Sequence, residues 1–251
     1  MPEGPSIILF KEEVIQFTGR KILSVSGNSK IDQSRILNQK VIAFKSWGKH
    51  FLICFKKFSL RIHFLMFGSY RVNDKKPDKP IRLNLTFTNG EINLYSCSIK
   101  ILEGDINSYY DWSGDVMNDG WDPVVARNKL RNESSNMVCD VLLDQNIFAG
   151  VRNIIKNEVL YRIRIHLESI VKKMPSVKIK KMIEEARIYS FQFLEWKRKY
   201  ELKKHWLAHT KKICLRCNLP IYKKYTGLKK RRSFFCLNCQ KLYNEKKKNK
   251  K

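Results

Sequence analysis

The sequence predicts an α+β protein, in which an N-terminal antiparallel β-sandwich precedes a helical domain and a C-terminal β-hairpin zinc finger. Three observations carry this prediction. Short alternating apolar runs separated by turn residues fill the first half of the chain, and apolar residues at helical spacing fill the second. Two Cys-x2-Cys pairs stand near the end. At 251 residues the chain is long enough for one large or two modest domains.

The first half, expected to span residues 1–122, begins with a predicted helix over residues 5–18. Runs with the composition and alternation of strands follow at residues 40–44, 50–55, 60–67, 81–88 and 92–96. Turn signals such as Asn89-Gly90 separate the runs, which favours antiparallel neighbours in a sandwich or barrel.

Glycine, aspartate and proline residues between positions 114 and 125 predict a linker. Beyond it, apolar spacing predicts helices over residues 138–143, 147–163, 179–189 and 194–207. We expect a helical domain at 123–210, a zinc finger at 211–243 and a basic disordered tail at 244–251.

The seven cysteines fall into two groups. Four have the spacing of a tetrahedral zinc site, with an 18-residue gap between two Cys-x2-Cys pairs: Cys214, Cys217, Cys236 and Cys239. Two disulfides are the alternative, which an intracellular location would disfavour. The other three are expected to be small buried hydrophobes: Cys54, Cys97 and Cys139.

Charge indicates the class of partner. Lysine and arginine number 50 against 23 acidic residues, which gives a formal net charge of +27 and indicates a polyanion binder. Membrane surface is the competing polyanion, but the sequence has neither an apolar run of ~18 residues nor a signal-peptide pattern. We therefore expect an intracellular, soluble protein that binds nucleic acid. Its lysine- and isoleucine-rich composition suits a bacterial cytoplasm.

The chain start carries a possible nucleophile. If Met1 is removed, Pro2 exposes a secondary amine, and an unperturbed α-amino group has a pKa near ~8, so part of it is unprotonated at neutral pH. Such an amine can form an iminium ion with an aldehyde-like carbon, and Glu3 could assist proton transfer. The alternative is an ordinary frayed terminus.

Residues 142–153 join two predicted helices through a short turn. Gly150 permits close approach of another group, and Arg152 and Asn153 next to a helix start would suit a phosphate. The alternative is an ordinary pair of packed helices.

Three motifs together resemble those of the formamidopyrimidine-DNA glycosylase and endonuclease VIII family, in the family's order and over nearly the whole chain. They are Pro2-Glu3-Gly4-Pro5, then Leu143-Asp144-Gln145 through Ala149-Gly150-Val151 to Asn153-Ile154, then Arg231-Arg232-Ser233-Phe234-Phe235-Cys236 with Cys239-Gln240-Lys241. The resemblance implies an N-terminal β-sandwich, a helix–two-turn–helix domain and a zinc finger with one structural zinc ion. It also implies a monomer that acts on damaged double-stranded DNA.

The resemblance also implies a mechanism. The flipped-out nucleotide would be attacked at C1′ by the Pro2 amine, with Glu3 protonating the opening sugar ring, and β- or β,δ-elimination would then cut the strand. Lys49, in Trp47-Gly48-Lys49-His50, would contact the lesion phosphate and assist catalysis. Phosphates flanking the lesion would be held by His63, Asn153 and Arg231, with Arg231 counted among the catalytic residues.

The run 63–68 matches the family's void-filling loop. Met66 is the first candidate for the side chain that fills the hole left by the flipped base, with Leu65 and Phe67 beside it. The alternative for all three is plain β-sandwich core.

Two departures affect the expected substrate. Ser6 replaces the usual second glutamate of the family's start motif, and Met66 resembles the branch that removes 8-oxoguanine. The start motif and the short interval before the zinc finger instead resemble the endonuclease VIII branch, so oxidised pyrimidines are the expected substrate. A non-catalytic nucleic-acid-binding protein and an RNA-binding assembly protein are the competing functions.

Overall fold

The computed structural model describes residues 2–244, so all but the first residue of the predicted tail lies outside the described residues. The chain divides into two compact units, Met1–Asp111 and Trp112–Lys251. The finer boundaries expected at residues 122 and 210 stay predictions. Among residues 2–244, no helix is long and apolar enough to cross a membrane.

The first unit is one helix and one antiparallel sheet. Its elements are α1 (Gly4–Val14), β1 (Ser24–Ser26), β2 (Ala43–Trp47), β3 (His50–Cys54), β4 (Phe58–Val72), β5 (Leu83–Phe87) and β6 (Gly90–Glu103). The strand order is β1-β5-β6-β4-β3-β2. A single buried cluster takes side chains from α1 and from both ends of this sheet. The α+β class is confirmed, and the strands form one continuous sheet around that core.

The long strands β4 and β6 connect the two ends of the sheet. β3 pairs with the first half of β4, whereas β5 pairs with the first half of β6. Between these halves the register shifts, since Phe64 pairs with Cys97 but Ser69 pairs with Tyr95. Residues 65–68, which we call the β4 bulge, therefore lie opposite a single residue of β6, Ser96. Gly68 is required there, because a Cβ would lie 2.9 Å from the Phe64 Cα atom and the Ser96 oxygen.

The second unit is helical and ends in a hairpin. Its elements are α2 (Pro123–Asn132), α3 (Val138–Val141), α4 (Asn153–Arg162), α5 (Ser176–Arg198), β7 (Tyr222–Thr226) and β8 (Arg231–Phe235). β7 and β8 pair as an antiparallel hairpin between the two Cys-x2-Cys pairs, as the spacing predicts.

Three helix predictions in this unit are wrong in detail. The linker prediction misses α2, which begins where Asp122 accepts a hydrogen bond from the Val124 amide at 2.7 Å and Pro123 occupies the first turn. The helix expected from residue 147 begins only at Asn153. The helices expected at 179–189 and 194–207 are largely one helix, α5, because residues 190–193 contain no helix breaker.

Candidate functional site

The chain start is anchored by packing. Glu3 is the N-cap residue of α1 and is only 2% exposed, while Pro2 is half-buried. The Ser6 amide donates to the Glu3 carbonyl oxygen at 2.9 Å. α1 buries Ile7 and Phe10 and packs against β2 and β3. The frayed-terminus alternative is therefore wrong, because the residues after Pro2 are fixed in a packed helix.

Lys49 lies in the turn between β2 and β3. Gly48 has a φ of 54°, a left-handed conformation that glycine adopts without strain and that lets the chain reverse before Lys49. The Lys49 Nζ atom is 3.2 Å from His63 Nε2, and His63 is the register partner of His50 on the neighbouring strand. The Lys49 amine and the His63 ring, two predicted phosphate-contacting groups, therefore lie within hydrogen-bonding distance and form what we call the Lys49–His63 cluster.

His50 packs against the His63 ring of this cluster. Its ring meets the His63 ring edge-on at 5.5 Å, and its Nδ1 atom is 3.2 Å from the Tyr110 hydroxyl. The pKa of His50 is lowered to about 3, chiefly by burial, and the charges of Arg61, His63 and Lys49 act in the same direction. At neutral pH His50 is therefore uncharged, and the positive charge at this site is carried by its neighbours.

The β4 bulge exposes apolar side chains. Leu65, Met66 and Phe67 are 50%, 59% and 75% exposed. Phe64, immediately before them, is buried in the core. The β-sandwich-core alternative for these three residues is therefore wrong. Large apolar side chains next to each other on a surface indicate a binding site.

The motif turn of the second unit is stabilised by Gln145. Its amide nitrogen donates to the carbonyl oxygens of Leu143 and Val151, both at 3.1 Å, and its Oε1 atom accepts from the Gly150 amide at 3.2 Å. Gly150 has a φ of 95°, a conformation that a side chain would strain. These bonds close the turn that precedes α4.

Asn153 is the first residue of α4 and contacts the hairpin. Its Nδ2 atom donates to the Arg232 carbonyl oxygen at 2.8 Å. Its Oδ1 atom is buried and has no hydrogen-bond partner within residues 2–244. Arg231, at the start of β8, is half-buried, whereas Arg232 is exposed. The structure thus places Asn153 beside the strand that carries the predicted arginine.

The four predicted metal ligands lie together. Their sulfur atoms all lie within 4.8 Å of one another, with Cys214 3.7 Å from Cys239 and Cys217 3.5 Å from Cys236. All four thiols are free, so the two-disulfide alternative is wrong. Tetrahedral coordination with metal–sulfur bonds of ~2.3 Å separates sulfurs by about 3.8 Å, which this arrangement fits. The residues can hold one metal ion.

Side chains outside the predicted set hold this cysteine cluster in place. The Tyr161 hydroxyl lies 3.1 Å from the Cys214 sulfur, and Gln240 Oε1 accepts from the Cys236 amide at 2.9 Å. Glu158, fully buried in α4, accepts from the Ala208 and His209 amides at 2.9 and 2.7 Å. Burial raises the pKa of Glu158, although these amides act in the opposite direction. The segment leading to Cys214 is thus fixed by α4.

At the hairpin turn, Asp140 accepts from the Leu228 amide at 3.0 Å. Gly227 has a φ of 73°, and a Cβ there would collide with the Asp140 carboxylate. Sequence reasoning missed Asp140, Glu158 and Tyr110.

Comparison with known proteins finds a family model that matches the first 97 residues and relatives that match most of the chain. Residues 1–97 match the model of the formamidopyrimidine-DNA glycosylase N-terminal domain. Endonuclease 8-like 3 of Xenopus laevis is 25% identical over 244 residues, covering 92% of this chain and 39% of the relative. The chain thus spans about two fifths of the length of that relative. Formamidopyrimidine-DNA glycosylase of Carboxydothermus hydrogenoformans is 22% identical, covering 96% of this chain and 100% of the relative.

The fold also matches solved structures. Lactococcus lactis formamidopyrimidine-DNA glycosylase, crystallised with DNA containing an AP site, superposes with a TM-score of 0.84 at 21% identity, covering 95% of this chain and 99% of that one. A viral DNA glycosylase superposes with a TM-score of 0.82 at 20% identity, covering 95% of this chain and all of the viral chain. At these identities the match establishes the fold.

Proposed function

Because the chain belongs to the formamidopyrimidine-DNA glycosylase and endonuclease VIII family, we propose that it is a bifunctional DNA glycosylase and AP lyase of base excision repair. One observation carries the proposal most directly. Pro2 and the buried Glu3 directly precede a packed helix, in the same unit as the Lys49–His63 cluster and the apolar β4 bulge. A protein that only binds DNA has no use for a fixed secondary amine next to a buried carboxyl group.

The chemistry proceeds in two stages. The Pro2 nitrogen, once Met1 is removed, bonds to C1′ of the flipped-out nucleotide as the bond between C1′ and the base breaks; the nitrogen then loses its proton, which balances the proton that the departing base gains. The sugar ring then opens, O4′ takes a proton from Glu3, and the nitrogen lone pair forms the iminium ion. Loss of a C2′ proton expels the 3′ phosphate by β-elimination, and water releases Pro2.

Polar and charged side chains bind the DNA backbone. Lys49 contacts the phosphate at the lesion, where its positive charge raises affinity for an anion. His63, Asn153 and Arg231 contact the flanking phosphates. The planar guanidinium group of Arg231 suits paired hydrogen bonds to phosphate oxygens, and the hairpin holds its backbone.

We further propose that the cysteine cluster holds one zinc ion with a structural role. Four thiolates saturate tetrahedral zinc and leave no open position for substrate, which is typical of structural sites. Zinc would link the two Cys-x2-Cys turns and thereby fix the hairpin that carries Arg231.

Oxidised pyrimidines are the proposed substrates, from the start motif Pro2-Glu3-Gly4-Pro5. Met66 favours the alternative, 8-oxoguanine or formamidopyrimidine, so a direct ranking is needed. The proposed partner is damaged double-stranded DNA, bound by a monomer. A bacterial cytoplasm stays a prediction, since the relatives include both bacterial and vertebrate proteins.

A cleavage assay on four duplexes tests the function. Each carries one central abasic site, dihydrouracil, 8-oxoguanine or normal base. We expect cleavage of the abasic and dihydrouracil strands, slower cleavage at 8-oxoguanine, and an intact normal duplex. Binding without cleavage of any strand would mean a non-catalytic DNA-binding protein. Stronger binding to RNA, with no cleavage, would instead support the assembly-protein alternative.

The β4 bulge gives a separate prediction. Met66→Ala should slow excision from duplex DNA about tenfold, because its side chain would no longer offset the stacking lost on base flipping. Its thermal unfolding temperature should not change, because Met66 is 59% exposed. Val177→Ala, at a comparably exposed apolar residue of α5, is the matched control. Equal excision by Met66→Ala and the unaltered protein would show that Met66 does not fill the void.

A further inference from the structure

Lys156 is a lysine with no exposed surface in the middle of α4. Burying a lysine is unfavourable unless its amine is hydrogen-bonded, and methionine would fill the same space without that penalty. Its role must therefore come from what the amine contacts. Neighbouring Glu158 holds residues 207–209 and Asn157 contacts His209, so these two side chains are directed toward a different segment.

The Lys156 amine contacts the hairpin. Its Nζ atom lies 2.7 Å from the Ser233 hydroxyl on β8. That hydroxyl also lies 2.6 Å from the Thr226 hydroxyl on β7 and 3.1 Å from the Arg231 carbonyl oxygen. The carbonyl only accepts, so the single Ser233 proton goes to Arg231. Ser233 therefore accepts from both Lys156 and Thr226, and all three bonds are satisfied together.

This network fixes the backbone of Arg231. A hydroxyl that accepts a hydrogen bond is polarised and donates more strongly, which tightens the bond from Ser233 to the Arg231 carbonyl oxygen. One helical turn earlier on α4, Asn153 donates to the next carbonyl, that of Arg232, at 2.8 Å. Residues three apart lie on the same face of a helix. One face of α4 thus holds two consecutive peptide groups at the start of β8.

We propose that Lys156 is a positioning residue for Arg231, acting through the Ser233 hydroxyl. The proposal rests on the proposed DNA-binding role of Arg231. Lys156 lies beneath the hairpin and does not itself touch DNA. Its amine fixes the backbone from which the Arg231 side chain extends. Less conformational entropy is then lost when the guanidinium group binds a phosphate.

A double-mutant cycle on the zinc-loaded protein tests this role. The readout is the dissociation constant for duplex DNA with one tetrahydrofuran residue, an abasic-site analogue that is bound without reacting. We expect Lys156→Met to weaken binding about tenfold when Arg231 is present and less than about twofold in the Arg231→Ala background. Zinc content and melting temperature should be preserved, because replacing a buried charge with an apolar side chain of similar volume is often neutral or stabilising.

Two further variants complete the experiment. Ser233→Ala should reproduce the same non-additive pattern, and it replaces Lys156→Met in the cycle if that variant loses zinc or unfolds. Lys178→Met is the matched control, since Lys178 is half-buried on a neighbouring helix and its amine donates to the Ile163 carbonyl oxygen at 2.8 Å, away from the hairpin. It should change affinity less than about twofold.

The outcomes separate the two proposals. Additive effects of Lys156→Met and Arg231→Ala would overturn the positioning role. Tight binding by the parent protein without cleavage would overturn only the catalytic part of the proposed function, because the cycle measures binding alone. A parent protein that does not bind the duplex would overturn both.

Discussion

A protein whose α-amino end is blocked is expected to cleave abasic duplex DNA at least about a thousandfold more slowly than one that begins at Pro2. With any residue before it, the proline nitrogen becomes a tertiary amide without a usable lone pair, so no iminium ion can form. The comparison uses one preparation with a removable N-terminal extension, assayed before and after the extension is cut away. Binding to the abasic analogue, measured in parallel, should fall far less than the cleavage rate.

Glu3→Gln is the companion variant, because glutamine has nearly the same shape but cannot give up a proton. Since Glu3 is 2% exposed, a smaller replacement would also leave a cavity. We expect base excision to slow about a hundredfold or more, in the range for loss of a general acid, with attack on an existing abasic site less affected.

In the comparison of blocked and free α-amino ends, equal cleavage by the two proteins would show that Pro2 is not the nucleophile.

Removal of the metal is expected to abolish specific binding to damaged DNA. Structural zinc contributes about 10–16 kcal/mol of apparent binding free energy in small zinc-dependent folds, so the hairpin should unfold without it. Arg231 would then lose its fixed position, and we expect at least about a hundredfold weaker affinity for the abasic analogue. Titration with a chelator, followed by zinc addition, measures the loss and its reversal.

Cysteine variants test whether the loss of DNA affinity comes from the four-cysteine site itself. Cys214→Ala should bind less than one zinc ion per chain and show the affinity loss without a chelator. Cys54→Ala removes a buried free thiol from the other unit and should keep both zinc and DNA binding. Full affinity in the metal-free protein would contradict the structural role proposed for the ion.

Sequence patterns predicted best where chemistry constrains spacing. Two thiolate pairs must reach one ion from tight turns, so the spacing of Cys214 to Cys239 indicated the cluster that the structure brings together. The alternating runs located five strands because residues that alternate between core and solvent have a period of two. The separate phosphate-contacting roles of Lys49 and His63 were available only through the family resemblance, and their proximity was not predicted.

Features that depend on tertiary contacts escaped prediction. The start of α2 was read as the end of a linker because Pro123 follows Gly114, Asp119 and Gly120, yet proline is common in the first turn of a helix and Asp122 caps this one. The β4 bulge was ambiguous, since an apolar run in a strand looks the same whether a register shift exposes it or the core buries it. Lys156 gave no signal, because its partner Ser233 is 77 positions away.

The central claim is covalent chemistry at the chain start, and trapping the intermediate tests it most directly. Protein without Met1 is incubated with abasic duplex and borohydride, which reduces an iminium ion to a stable amine, and the adduct is digested and mapped by mass spectrometry. We predict one adduct, on the N-terminal peptide at the Pro2 nitrogen. An adduct at Lys49 or another lysine, or cleavage of the strand without any adduct, would contradict the account.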